Sequence, residues 1–195
     1  MSSTGLGEKP LAVTEAELAY VASPTGNPIG SILATTPHAL WVADYFGVSA
    51  ELGLWASDIY VLSGPDEYIP GLIGLPPERP LRPAYHSIAL AVTPAGATRY
   101  SATSVSTDLR VYASRNREDD GLHVALVHWG SAERTTTVAV EGSGTAVTGV
   151  TLSVPAQSVT SLTLPDQGSP KALTYGDLQI NARALPVALE VQCSR

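Results

Sequence analysis

Two carboxylates follow an apolar run near the start of the chain: Leu11, Ala12 and Val13 lead into Thr14, Glu15, Ala16 and Glu17. A short continuous apolar run suits a strand buried on both faces, as in a parallel sheet. In an α/β barrel, the point where such a strand meets its loop lies on the face that carries catalysis. Carboxylates placed there can cleave glycosidic bonds. A pair about 5–5.5 Å apart supplies one group that attacks the anomeric carbon and one that protonates the leaving oxygen. Glu15 and Glu17 are poorly spaced for that pair, because two residues along a strand span about 6.5–7 Å.

Other groups lie where the same mouth would be. Asp58 and Tyr60 belong to the segment LWASDIYVL, and Asp66, Glu67 and Tyr68 to the Gly- and Pro-rich loop Ser63–Arg82 behind it. His38, His86, His123 and His128 show no metal-ligand spacing, so surface or core roles are expected. Cys193 is the only cysteine, which leaves neither a disulfide nor a zinc cage to build. The charged hairpin loop Arg115–Gly121 lacks the D-x-[DN]-x-[DN]-G spacing of a calcium site. No Gly-rich phosphate loop or serine elbow is present. No metal and no cofactor are expected. Trp129 reads as packing at a sheet or domain face, with a flat platform for a sugar ring as the alternative.

The elements that would position these groups alternate in the first half. After the Leu11 strand and a Ser-, Pro- and Gly-rich loop, Thr36-Pro37 marks a helix start, with a hydroxyl to cap and a proline at the first turn. The helix is predicted to reach about Leu52, with Gly53 as its stop. Trp41, Tyr45, Val48 and Leu52 form its apolar stripe, widened by Ala39, Ala43, Phe46 and Ala50, while His38, Asp44 and Glu51 take the wet side. Leu54–Leu62 is the next inner strand. Pro83–Val92 is a second helix with Tyr85, Ile88, Ala89 and Val92 inward. Strand, helix, strand, helix implies parallel strands with right-handed crossovers. Two such units cannot bury their own faces, and a closed (β/α)8 barrel needs about 250 residues. The expectation is therefore the last two βα units of a barrel, with exposed apolar edges at the Leu11 strand and on the helix bearing Trp41.

The second half reads as an antiparallel β-sandwich. Strands are predicted near Arg99–Val105, Leu109–Ser114, Leu122–Trp129, Thr135–Glu141, Gly149–Val154, Ser158–Leu164, Leu173–Ile180 and Val187–Gln192, separated by turn residues. Leu122, Val124 and Leu126 share one face, and His123, Val127 and Trp129 the other. The fold class is thus an α/β fragment plus an all-β sandwich, divided into residues 1–94 and 95–195.

The 195 residues carry a net charge of −7 and two lysines, Lys9 and Lys171. No basic stripe exists to neutralise phosphates, so no nucleic-acid partner is expected. The opening segment MSSTGLGEKP lacks the apolar core of a signal peptide. No apolar run approaches the roughly 18 residues of a membrane span, so no membrane partner is expected either.

Taken in order, the segments LAVTEAEL, PHALWVADYFGVSAELGLWASDIYVLSG, RPAYHSIALAV, DLRVYASRNREDDGLHVALVHWG and VPAQSVTSLTLP resemble the C-terminal portion of retaining (β/α)8-barrel glycoside hydrolases. The nearest are α-L-arabinofuranosidases and endoglucanase/xyloglucanase-like enzymes with a β-sandwich after the barrel. In those families a Thr-Glu pair on the seventh strand carries the nucleophile, usually as Thr-Glu-Tyr-Asn. The resemblance implies Glu15 as that nucleophile, with Ala16 and Glu17 where Tyr and Asn are usual. It implies Tyr60 at the place of a sugar-stacking ring, with Glu17 and Tyr68 as further substrate contacts. The acid/base partner normally lies on strand four, which this chain does not supply, so the isolated chain is expected to be inactive. The implied partner is a plant-type polysaccharide or oligosaccharide, and a secreted or periplasmic parent enzyme would suit it. The competing expectation is a non-catalytic carbohydrate-binding or structural β-sandwich module.

Overall fold

The computed structural model describes residues 9–18, 35–63, 71–74, 76–77, 79–91, 98–115, 121–140, 149–166, 169–176 and 179–184. Two βα units come first: β1 (Ala12–Val13), α1 (Thr36–Glu51), β2 (Ala56–Ser57) and α2 (Pro83–Ala91). β1 and β2 are parallel, with Ala12 opposite Ala56 and Val13 opposite Ser57. The predicted order and direction therefore hold. The second ladder strand is much shorter than Leu54–Leu62.

The N-cap position of α1 is Thr35 rather than Thr36, Pro37 lies in the first turn, and the Thr35 side chain makes no capping hydrogen bond. It ends at Leu52, after which Gly53 takes φ +67°, the left-handed conformation that only glycine adopts without strain. The buried residues of α1 are His38, Ala39, Leu40, Val42, Ala43 and Ser49. The inward face is thus rotated from the predicted stripe: Val48 and Leu52 are exposed, and His38 is inside. α2 is rotated in the same sense. It buries Pro83, Ala84, Ser87 and Leu90, while Tyr85 and Ala89 lie outward. The cause is helix-to-helix packing. Small residues let the two helices approach until the Ser87 hydroxyl donates to the Ala39 carbonyl, and a close crossing selects Ala and Ser rather than the bulkiest side chains.

The sandwich strands are β3 (Thr98–Tyr100), β4 (Leu109–Arg115), β5 (Leu122–His128), β6 (Arg134–Ala139), β7 (Gly149–Val154), β8 (Ser158–Leu164), β9 (Lys171–Gly176) and β10 (Gln179–Ala184). Six of them form one antiparallel sheet in the order β10-β9-β8-β5-β4-β3, and β6 pairs with β7 in a second. The predicted strand Leu173–Ile180 is two strands, because the chain reverses so that Gln179 faces Gly176. Val187–Gln192 lies outside the described residues.

β5 is buried along its whole length. Its Leu122, Val124 and Leu126 meet Leu162 and Leu164 of β8 and Val150, Leu152 and Val154 of β7 in the core between the sheets. Its other face is covered by the helices: Val127, Val159 and Tyr175 form a row across β5, β8 and β9 that packs under Ala39, Leu40, Ala43 and Leu90. Tyr175 also stacks on His86 of α2, with ring centroids 5.2 Å apart. The Tyr112 hydroxyl donates to the Asp44 carboxylate, which ties α1 to β4. Burial, followed by that bond, raises the Tyr112 phenol above its ordinary range.

Exposed large apolar side chains occur in both halves of the chain, among them Leu11, Val48 and Leu52 in the first and Val105, Trp129 and Leu173 in the second, while Trp41 is only half-buried. Leu11 is 67% exposed and Trp55 75%, and the two are joined by a Trp55 N–H to Leu11 carbonyl bond of 2.7 Å. Leu52 and Val48 on α1 are exposed as well.

Candidate active site

The two parallel strands stay hydrogen-bonded past their short ladder. Asp58 N–H donates to the Val13 carbonyl and Tyr60 N–H to the Ala16 carbonyl, both at 2.9 Å. With Trp55 to Leu11 before them, donors advance by three residues and then two, while acceptors advance by two and then three. Each strand thus carries one extra residue, which ends regular pairing and turns side chains out of strict alternation. Glu15 and Glu17 are therefore not simply two positions on one face. Glu15 is exposed at the strand end, and Glu17 is turned inward.

Tyr60 is 40% exposed, and its backbone bond to Ala16 sets it beside the Glu15–Glu17 turn. The Tyr60–Val61 peptide is cis. Beyond it, Val61 and Leu62 accept hydrogen bonds from Leu72 and Ile73. Tyr68, Asp66 and Glu67 fall outside the described residues.

Glu17 is held twice. Its Oε1 lies 2.8 Å from Nε2 of the buried His38 and accepts the Leu18 N–H at 2.7 Å. His38 stands in the first turn of α1, at the head of a stacked row that continues to Trp41 and Tyr45. The sequence placed His38 on the wet side of α1, and no spacing rule flagged its contact with Glu17, because the two are joined only by the fold. The contact fixes the turn that bears Glu15 against the helix that follows it.

Glu15 thus stands as a solvent-facing carboxylate at the C-terminal end of two parallel strands, with Tyr60 bonded through its backbone to the residue that follows it and Glu17 engaged elsewhere. A carboxylate so placed can attack an electrophilic carbon, and an aromatic ring beside it can support a sugar. Among the described residues no three His, Cys, Asp or Glu side chains converge to hold a metal ion, and no helix is long and apolar enough to cross a membrane.

No family model matches the sequence, and no curated protein is similar to it. Solved structures are. A bifunctional glucanase-xylanase, CelM2, from a metagenome library matches over 84% of this chain and 32% of its own length, with a TM-score of 0.61 and 18% identity. A family 30 endoxylanase from Clostridium papyrosolvens matches over 80% of this chain and 42% of its own, with a TM-score of 0.60 and 17% identity. A family 30, subfamily 8 xylanase from Clostridium acetobutylicum gives 80% and 42%, with a TM-score of 0.59 and 16% identity. The chain spans about a third to two-fifths of the length of these enzymes. At this identity the likeness is one of fold: two βα units joined to a β-sandwich, as found in part of family 30 glycoside hydrolases.

Proposed function

We propose that this chain supplies the last two βα units and the accessory sandwich of a retaining glycoside hydrolase acting on plant-type polysaccharide. Residues 1–94 belong to the barrel in this reading and residues 95–195 to the sandwich. Glu15 is the nucleophile, Tyr60 lines the sugar site, and Tyr68 and Glu17 complete its border, Glu17 through the turn that it anchors. The observation that carries the reading is the placement of an exposed Glu15 and of Tyr60 at the same end of a parallel strand pair, joined through Ala16. That is the end at which barrel enzymes hold their catalytic groups. The likeness in fold to glucanases and xylanases supports it.

Retaining hydrolysis needs a second carboxyl as acid and base, about 5–5.5 Å from the first. Glu17 is bound to His38 and is not free to serve. The chain alone is therefore silent, and a polypeptide carrying six preceding βα units with an Asn-Glu pair completes it. The test is complementation. Mixed with such a polypeptide, the chain should release aryl-glycoside chromophore, and Glu15→Gln should not. Release by the isolated chain above its Glu15→Gln control would overturn the reading.

A further inference from the structure

An exposed aromatic ring at the edge of the sandwich has no part in the site above. Trp129 follows the last residue of β5 and is 38% exposed, and its N–H donates to the Asp108 carbonyl at 2.7 Å, across the open end of the β4–β5 pair. The residue that it bonds, Asp108, belongs to a set of side chains already fixed in place. Asp108 Oδ1 accepts the Ser106 hydroxyl and lies 3.4 Å from Arg134 Nη1. Asp108 Oδ2 lies 3.9 Å from Nε2 of the buried His128. His128 Nδ1 is 2.7 Å from the Pro155 carbonyl, so that nitrogen carries the proton and the ring is locked beneath the carboxylate. Gly130 closes the arrangement. A Cβ there would fall 2.5 Å from His128 Nε2 and 2.7 Å from Asp108 Oδ2. The Gly130 carbonyl accepts the N–H of Gln157, an exposed residue thereby held next to Trp129 in the backbone.

We propose that Trp129, flanked by Asp108, Arg134 and Gln157, is a second carbohydrate-binding platform, distinct from the Glu15–Tyr60 site. An indole face in water offers apolar area to the C–H face of a pyranose ring. A carboxylate and a guanidinium held against each other present acceptors and paired donors to neighbouring sugar hydroxyls. Both remain part-exposed, at 39% and 36% of their side chains, so both can reach a ligand. Their fixation reduces the ordering cost of binding. The net charge of −7 and the two lysines favour a neutral ligand over an anionic one. The choice of a plant polymer as ligand rests on the proposed function; the platform itself rests on the geometry at Trp129.

The test is affinity electrophoresis of the full chain in soluble xylan and in mixed-linkage β-glucan. The wild type should be retarded by at least one polymer. Trp129→Ala should lose the retardation, with a dissociation constant at least tenfold higher, whereas Trp129→Phe and Tyr60→Ala should keep most of it. Circular dichroism confirms that each variant folds. Should Trp129→Ala fail to fold, Gln157→Ala and Arg134→Gln carry the test and should each weaken binding at least threefold. Retention by Trp129→Ala, or no retardation of the wild type, overturns the platform. Loss in Tyr60→Ala alone would overturn the platform and leave the proposed function standing. Trp129-dependent binding without complementation would do the reverse.

Discussion

His38 Nε2 stands 2.8 Å from Glu17 Oε1, with the histidine 1% exposed and the glutamate 11%. The pair joins the turn after β1 to the first turn of α1, so it is the side-chain contact that fixes how the Glu15 segment leaves the sheet. Removing the imidazole takes this contact from Glu17 and leaves its buried site unfilled, a loss of about 1–3 kcal/mol for a buried polar group without its partner. His38→Ala should lower stability by about that amount in urea unfolding. It should also speed amide exchange at residues 14–18, with little change at β5 or β8. Uniform protection across the turn in that variant would show that the contact does not hold it.

Gly47 offers a sharper test of how the helices sit on the sheet. A Cβ at this position would collide with the ring of Tyr112, whose hydroxyl is bound to Asp44 one turn earlier on α1. In an unpacked helix Gly→Ala stabilises by about 1 kcal/mol. Here the ring must move, so Gly47→Ala should destabilise by about 1–3 kcal/mol, the range seen for over-packed sites. In a Tyr112→Ala background the sign should reverse, because the space is vacated and only helix propensity remains. Equal effects in both backgrounds, measured by a double-mutant cycle, would refute the contact.

The period-two runs made the sandwich legible. Leu122, Val124 and Leu126 read as one face and are one face, and the strand limits at Gly149–Val154 and Ser158–Leu164 fall where turn residues placed them. The helices were legible in extent and not in orientation. The α1 stripe Trp41, Tyr45, Val48 and Leu52 has the right period, yet what lies beneath α1 is α2 and the outer face of β5, where Ala39 and Ala43 fit. Periodicity reveals that a face exists, and the partner decides which one. That the first parallel strand ends just before Glu15 was legible from the apolar run Leu11–Val13. The His38 contact was not, because it joins residues 21 positions apart through a crossover whose geometry no local pattern encodes. Asp108 and Arg134 likewise meet only when the ends of β4 and β6 are brought together.

Asp108 gives the acid response a defined direction. Its carboxyl is held below the ordinary carboxylate range, chiefly by the Ser106 hydroxyl, against an opposing effect of burial, with the Arg134 guanidinium lowering it further by less. A carboxyl lowered in the folded state contributes stability above its unfolded value, and that contribution is lost as the pH falls through the folded one. The stability gap between the wild type and Asp108→Asn should therefore be constant from pH 7 to about 5 and shrink below about 4, near the unfolded value of aspartate. Salt should narrow it at neutral pH, because the Arg134 contact is part-exposed. A gap that widens on acidification would reverse the assignment.

The exposed patch of Leu11, Leu52 and Trp55 carries the last expectation. These side chains sit on one end of the β1–β2 pair and on the end of α1, in water, where burial gives them nothing to lose. Surface positions of this kind change stability by about 0.5 kcal/mol or less. Trp55→Gln and Leu11→Gln should leave the urea midpoint of the isolated chain nearly unmoved while reducing its binding of a hydrophobic dye and its self-association. In the complementation experiment the same substitutions should weaken assembly at least tenfold if, as the proposed function has it, the separate polypeptide packs against this end of the strand pair. Unchanged assembly would mean that these side chains face water in the complete enzyme.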